Sequence, residues 1–270
     1  MCCTPPAVCG NNRIVSECPH AFGSGTPLVL VPGIQGRWEW MLPAIHALER
    51  RHDVLTFSLT DASGRGFFDQ WHRRIDAALD AARLQRAALV GVSFGGVIAA
   101  AYAARSPQRV THLVLVSTPS PRFQLDPRTR MYLRRPLLAL PFFAVRAGGR
   151  LLPEIRSALP GWRRQAAFAA IHGLRTLRSP VSPRLMAAWA REWQGLELAA
   201  SFRTIDAPTL ILTGEPGLDR VVPVTSSLDY LNLIAGARHE VLTATGHIGL
   251  LLRPDVFATI VSDFLARPHR

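Results

Sequence analysis

The chain has 270 residues, 48% hydrophobic and 19% charged, with four cysteines confined to the first 18 positions. That length and balance suit one large folded domain, or one domain with an insertion. They exclude a disordered chain, a repeat array and a disulfide scaffold whose bridges would have to span the body of the fold. All 31 basic residues are arginine: residues 1–117 carry 11 against 8 acids, 118–205 carry 15 against 4, and 206–270 carry 5 against 7, so the excess charge gathers in the middle third.

Residues 1–25 are expected to be a poorly ordered leader. The spacing of Cys2, Cys3, Cys9 and Cys18 lacks a downstream His or Cys set for zinc, and acylation of Cys2 or Cys3 is the minor alternative. No charged segment followed by an apolar core resembles an export signal, and no uncharged apolar run reaches membrane-spanning length. The expected location is therefore cytoplasmic.

"TPLVLVPG" (26–33) is an apolar run bounded by proline and glycine, as in a strand buried on both faces. A helix is predicted near 39–51, a strand over "DVLTFSL" (53–59), and an amphipathic helix where Phe68, Trp71, Ile75 and Leu79 recur at helical spacing. "AALVGV" (87–92) reads as a strand, 94–105 as a helix and "VTHLVLVS" (110–117) as a strand. The alternation then stops. Residues 118–205 hold helical stretches, prolines and arginines without a convincing strand, and read as a helical insertion. It resumes with a strand at 207–214, a helix near 224–235, a strand at 239–243 and a final helix near 254–266. Alternation of this kind predicts an α/β fold with a parallel sheet.

The chemistry centres on "GVSFG" (91–95), a Gly-x-Ser-x-Gly placed between a strand and a helix. A serine there sits on a tight turn that lifts its hydroxyl above the sheet, while the glycines let strand and helix backbones approach. Ser93 is the candidate nucleophile. It needs a base, and the base an orienting carboxylate. Of nine histidines, His247 alone falls in a glycine-flanked loop after the last predicted strand. The others lie on predicted helices and strands, in the insertion or at the termini. For the acid, the loop "GEPGLDRVVPV" offers Asp219, which is preferred, and Glu215 as the alternative. "VPGIQG" (31–36) follows the first buried strand, where the backbone N–H of Ile34 would join that of Phe94 to hold an oxyanion.

These motifs, in this order, resemble the α/β-hydrolase superfamily. The likeness runs from Thr26 to Leu265 through the elbow Gly91-Val92-Ser93-Phe94-Gly95, the loop Pro32-Gly33-Ile34, the acid loop ending Asp219-Arg220-Val221-Val222-Pro223, and Gly246-His247. It implies an α/β-hydrolase fold with a mostly parallel eight-stranded sheet flanked by helices. The core would comprise 26–117 and 206–270, with 118–205 a helical, arginine-rich lid inserted after the sixth strand. It also implies a triad of Ser93, Asp219 and His247, with no metal and no organic cofactor.

Three departures stand out: Pro32 where many relatives carry His, an acid loop lengthened through Pro216-Gly217, and a loose "SLTDASGRG" turn. Serine at the elbow disfavours the haloalkane dehalogenases and epoxide hydrolases, which place aspartate there. The carbon–carbon hydrolases commonly follow the catalytic His with Trp, whereas Ile248 follows here. The resemblance thus points to cleavage of a carboxylic ester or thioester of a small or lipid-like molecule. Carbon–carbon hydrolysis, acyl transfer and a catalytically silent ligand-binding role are the alternatives. Arginines interleaved with Leu, Phe and Trp in the lid suggest peripheral contact with anionic membrane. No nucleic-acid motif accompanies the charge.

Overall fold

The computed structural model describes residues 19–59 and 66–267. The cysteine-bearing stretch, and most of the loose "SLTDASGRG" turn, lie outside the described residues. Among those described, seven strands form one sheet: β1 (His20–Phe22), β2 (Thr26–Val31), β3 (His52–Thr56), β4 (Ala87–Val92), β5 (Val110–Val116), β6 (Thr209–Thr213) and β7 (Arg238–Val241). Their order is β1-β3-β2-β4-β5-β6-β7, and every neighbouring pair is parallel except β1 with β3. Seven strands therefore stand where eight were expected, and the insertion follows β5, the fifth of them. The leader expected over 1–25 also gives up residues 20–22 to the sheet, because β1 pairs along the open edge of β3.

Within each central strand successive residues point to opposite faces, and both faces are apolar. Val29, Val31, Leu89, Leu113, Leu115 and Ile211 face one core, while Leu28, Leu30, Val90, Val114, Leu210 and Leu212 face the other. The right-handed crossover rule explains which helices cover which face. The chain steps from β2 outward to β3 through α1 (Leu42–Leu48), preceded by one 3-10 turn (Trp38–Met41). It then returns past β2 to β4 through α2 (Phe67–Ala81). The two steps run in opposite directions, so α1 packs on one face and α2 on the other, joined there by α3 (Phe94–Arg105). Between β2 and β4 the connections part to opposite faces. Their C-terminal loops flank a crevice, the position where open α/β sheets build sites.

The insertion contains α4 (Pro127–Arg134), α5 (Pro136–Ala158), α6 (Trp162–Arg178) and α7 (Pro183–Gln194). Its firmest attachment is apolar: Trp189 and Trp193 of α7 are buried in the core beneath α2 and α3. A second attachment holds α6, where Trp40 donates to the Ser179 carbonyl at 3.0 Å and its ring meets His172 edge-on. After β6 the predicted single helix is two short ones, α8 (Val224–Leu228) and α9 (Tyr230–Leu233). After β7 come α10 (Gly249–Leu252) and α11 (Pro254–Leu265), which complete the face shared with α1. No helix among the described residues is long and apolar enough to cross a membrane.

Candidate active site

Ser93 ends β4 and begins α3 with φ 52° and ψ −123°, a conformation that L residues rarely adopt and that persists only where surroundings enforce it. The enforcement is main-chain. The Ser93 amide donates to the Val116 carbonyl at 2.7 Å, fastening the elbow to the neighbouring strand. A Cβ on Gly91 would stand 2.6 Å from the Gly95 carbonyl oxygen, and one on Gly95 would strike the Pro32 carbonyl. Gly96 is equally constrained, since a Cβ there would collide with the buried side chain of Thr118. Strand and helix can meet at this angle only because these three side chains are missing.

His247 stands in the loop between β7 and α10. Its Nε2 lies 3.2 Å from Ser93 Oγ, and its Nδ1 lies 3.3 Å from Asp219 Oδ2. Asp219 and His247 are both buried. The other Asp219 oxygen, Oδ1, accepts from the amides of Val221 at 3.1 Å and Val222 at 2.9 Å, which fixes the carboxylate's direction. Burial works to raise the Asp219 carboxyl, but the hydrogen bond and charge of His247, with the two amides, outweigh it and hold it below the ordinary carboxylate value. The acid is therefore ionised where an imidazolium would need it.

The two loops are locked back to back. A Cβ on Gly214 would sit 2.5 Å from Gly246 Cα, and one on Gly246 would sit 2.8 Å from the Asp219 nitrogen. Glu215 has a different task from Asp219: its Oε1 accepts from the Ala244 amide at 2.7 Å, and its own amide donates to the Thr245 carbonyl at 2.8 Å. Ala244 takes a positive φ of 59°, and this bracing supports the bend that delivers His247.

The residues expected to hold an oxyanion are beside the serine. Gly36 N–H donates to the Gly33 carbonyl at 2.8 Å, closing a turn that contains Ile34. A Cβ on Gly33 would lie 3.6 Å from Ser93 Cβ. Phe94 opens α3, so its amide lies at the positive end of that helix. Its ring is gripped by Trp71 at 5.4 Å and Trp193 at 5.7 Å between centroids, with Trp71 in turn against Trp189 at 5.2 Å. The insertion thus steadies the residue next to the serine through edge-to-face aromatic contacts. His52, by contrast, pairs with Ser262 at 2.8 Å, and His239 with Thr213 at 2.9 Å, away from this site.

One residue that sequence reasoning missed belongs here. Glu154 of α5 is 1% exposed, and its Oε2 accepts from the amides of Gly246 at 2.8 Å and Ile248 at 3.1 Å, the residues either side of His247. Burial pushes its carboxyl up to about 7, against the lowering effect of those two amides. A signal existed: Glu154 continues the inward stripe of Ala147, Leu151 and Ala158 at helical spacing.

A buried Ser–His–Asp relay at the C-terminal ends of a parallel sheet is the arrangement of a nucleophilic hydrolase. The family model for the alpha/beta hydrolase fold matches residues 26–254, and the chain belongs to that family. Among its relatives, the 2-hydroxy-6-oxo-2,4-heptadienoate hydrolase of Pseudomonas putida is 31% identical over 92% of this chain and 91% of its own. The pimeloyl-[acyl-carrier protein] methyl ester esterase of Photobacterium profundum is 27% identical, covering 92% of this chain and 98% of its own. Among solved structures, the enol-lactonase of Burkholderia xenovorans superposes with a TM-score of 0.73 at 20% identity, covering 92% of this chain and 96% of that one.

Proposed function

We propose that the chain is a serine hydrolase that cleaves a carboxylic ester or thioester through an acyl-enzyme. The observation that carries this reading is the continuous relay from Ser93 Oγ through His247 to Asp219, at 3.2 and 3.3 Å. His247 Nε2 takes the Ser93 proton as Oγ attacks the carbonyl carbon, and Asp219 steadies the imidazolium. The amides of Ile34 and Phe94 receive the negative charge on the carbonyl oxygen. His247 then returns the proton to the leaving alcohol or thiol. Water, deprotonated by the same imidazole, attacks the acyl-serine, and the imidazolium returns that proton to Ser93 Oγ as the acid leaves. The test is an acyl-chain series of p-nitrophenyl esters and thioesters with wild type and Ser93→Ala, alongside fluorophosphonate labelling. Wild-type turnover with labelling at Ser93, both lost in the variant, is expected. Undiminished turnover by Ser93→Ala would refute it, and an unlabelled wild type would indicate a silent ligand-binding fold.

Carbon–carbon hydrolysis is the second reading, favoured by the likeness to the Pseudomonas dienoate hydrolase. Offering a 2-hydroxy-6-oxo-dienoate in the same assay and following the loss of its chromophore separates the two. Acyl transfer would reveal itself as new esters or amides when alcohols or amines are added.

Residues 118–205 serve in this reading as the lid, which closes the crevice and gives the substrate its apolar walls. The outer surface of the lid suits an anionic lipid interface. Val145 of α5 is 79% exposed and Trp162 of α6 72%, and Leu138, Phe142 and Leu177 are also exposed. Arginines stand among them, with Arg163 over the Trp162 ring at 5.6 Å. Such surfaces combine shallow apolar insertion with attraction to phosphate headgroups. Co-flotation with phosphatidylglycerol vesicles, absent with phosphatidylcholine and weakened by salt, is the expected result; equal binding to both would overturn it.

A further inference from the structure

A buried carboxylate is a poor fastener if fastening is all that is wanted. An apolar side chain of similar size would hold α5 against the loop without the penalty of removing a charge from water. Glu154 is nonetheless buried to 1% exposure, and its Oε1 has no hydrogen-bond partner among the described residues. Its Oε2 accepts from two amides, those of Gly246 and Ile248. These are the amides of the residues on either side of His247, so the carboxylate spans the catalytic residue and restricts where its Cα, and hence its ring, can stand. The geometry allows little latitude. Ring nitrogens already 3.2 and 3.3 Å from their partners would lose both contacts with a modest displacement of the loop, and misplacement by about 1 Å can cost on the order of a hundredfold in rate.

We propose that Glu154 is a positioning residue that couples the insertion to the catalytic base. When α5 is seated, the carboxylate clamps both amides flanking His247 and aims the imidazole at Ser93; when α5 lifts, the clamp goes with it. Seating of the insertion and assembly of the relay are then one event, and a substrate that holds the insertion down also completes the machinery that attacks it. The ionisable groups that act on Glu154 are His247 and Asp219, so the clamp adjoins the relay without accepting from its side chains. This inference rests on reading Ser93, Asp219 and His247 as the reacting set.

The test uses the full chain with Glu154→Asp, Glu154→Gln and Glu154→Leu. Active sites are counted by fluorophosphonate titration, and kcat and KM for a p-nitrophenyl ester are measured per titrated site, together with the rate of Ser93 phosphonylation and the melting temperature. Asp keeps the charge but withdraws it by one methylene, Gln keeps the reach and an accepting oxygen, and Leu removes the acceptor. Asp and Leu are expected to lower both kcat and the phosphonylation rate by about 10- to 100-fold, with KM changed less than about threefold. Gln should restore kcat to within about threefold of wild type.

Two results would overturn the proposal. One is wild-type rates per site in Asp and Leu even as the melting temperature falls, which is plain fastening. The other is a loss in Gln as deep as in Asp. If Leu fails to fold, the Asp and Gln pair decides. Ser93→Ala in the same assays keeps the readings apart: an active Ser93→Ala defeats the relay itself, whereas an inactive one beside unaffected Glu154 variants defeats only the clamp.

Discussion

Replacing Glu154 by Gln removes the buried charge while keeping the shape of the side chain, and the consequence for stability can be worked out with its sign. The carboxyl has an ordinary value of 4.5, which burial pushes up to about 7 in the fold. Below pH 4.5 it is protonated in folded and unfolded chains alike and contributes no pH dependence. Between 4.5 and 7 the unfolded chain releases the proton while the folded chain keeps it. The unfolded state then binds fewer protons, and stability falls as pH rises. Above pH 7 the whole penalty is present, about 3 kcal/mol at about 1.4 kcal/mol per pH unit. Gln carries no such penalty. Its amide nitrogen takes the place of the unbonded Oε1, and the offset this produces is the same at every pH. The stability of Glu154→Gln relative to wild type should therefore climb between pH 4.5 and 7 and level off above. In melting temperature the climb is roughly 6–12 °C for a chain of this size. Parallel thermal melts at pH 5, 6, 7 and 8 measure it directly. A difference that stays flat across the series, or that shrinks as pH rises, would refute the assignment of a buried, proton-holding carboxyl.

The two acids of the loop after β6 should separate cleanly. Asp219→Asn is expected to lower kcat by about 10³- to 10⁴-fold with little change in fold, because the imidazole loses its orienting charge. Glu215→Gln keeps an oxygen for the Ala244 amide and should cost less than about tenfold, so steady-state kinetics on the pair would expose an exchange of roles. Gly96→Ala drives a methyl into Thr118 and should destabilise the fold by about 1–3 kcal/mol, read as a lowered denaturation midpoint; Gly96→Ala combined with Thr118→Ser, which vacates part of that space, should recover some of it. An unchanged midpoint in Gly96→Ala would contradict the close approach.

Much of this architecture was legible in the chain. The strand at 87–92 and the helix at 94–105 coincide with β4 and α3, because a short, fully buried apolar run and an alanine-rich one leave few other ways to bury their surface. Ser93, Asp219 and His247 are expected from turns and glycines, whose geometry is local, and the fold brings them into line at 3.2 and 3.3 Å. What escaped was decided by tertiary partners. The strand His20–Phe22 has only three residues, two of them exposed, and exists because β3 offers a free edge. Gly96 reads as one glycine among several until Thr118, 22 positions on, is folded against it. Glu154 is the one acid of α5, and the packing of α5 on the loop at 246–248 converts it from a surface charge into a buried one. The brace that Glu215 gives the Ala244 bend likewise shows only in the fold, since no spacing reveals it.

The back-to-back glycines have a consequence for how such a molecule can change. Val31 lies opposite Gly91 in the sheet, and Gly95 rests on the Pro32 carbonyl, so the nucleophile turn and the turn carrying Ile34 are fitted together through main chain alone. Gly214 and Gly246 join the acid and base loops in the same way. Substitutions among the side chains of α4 to α7 leave these main-chain contacts in place. The molecule thereby separates a tool joined through main chain from a holder built of the helices α4 to α7. In this chain Glu154 is where the holder reaches back and touches the tool.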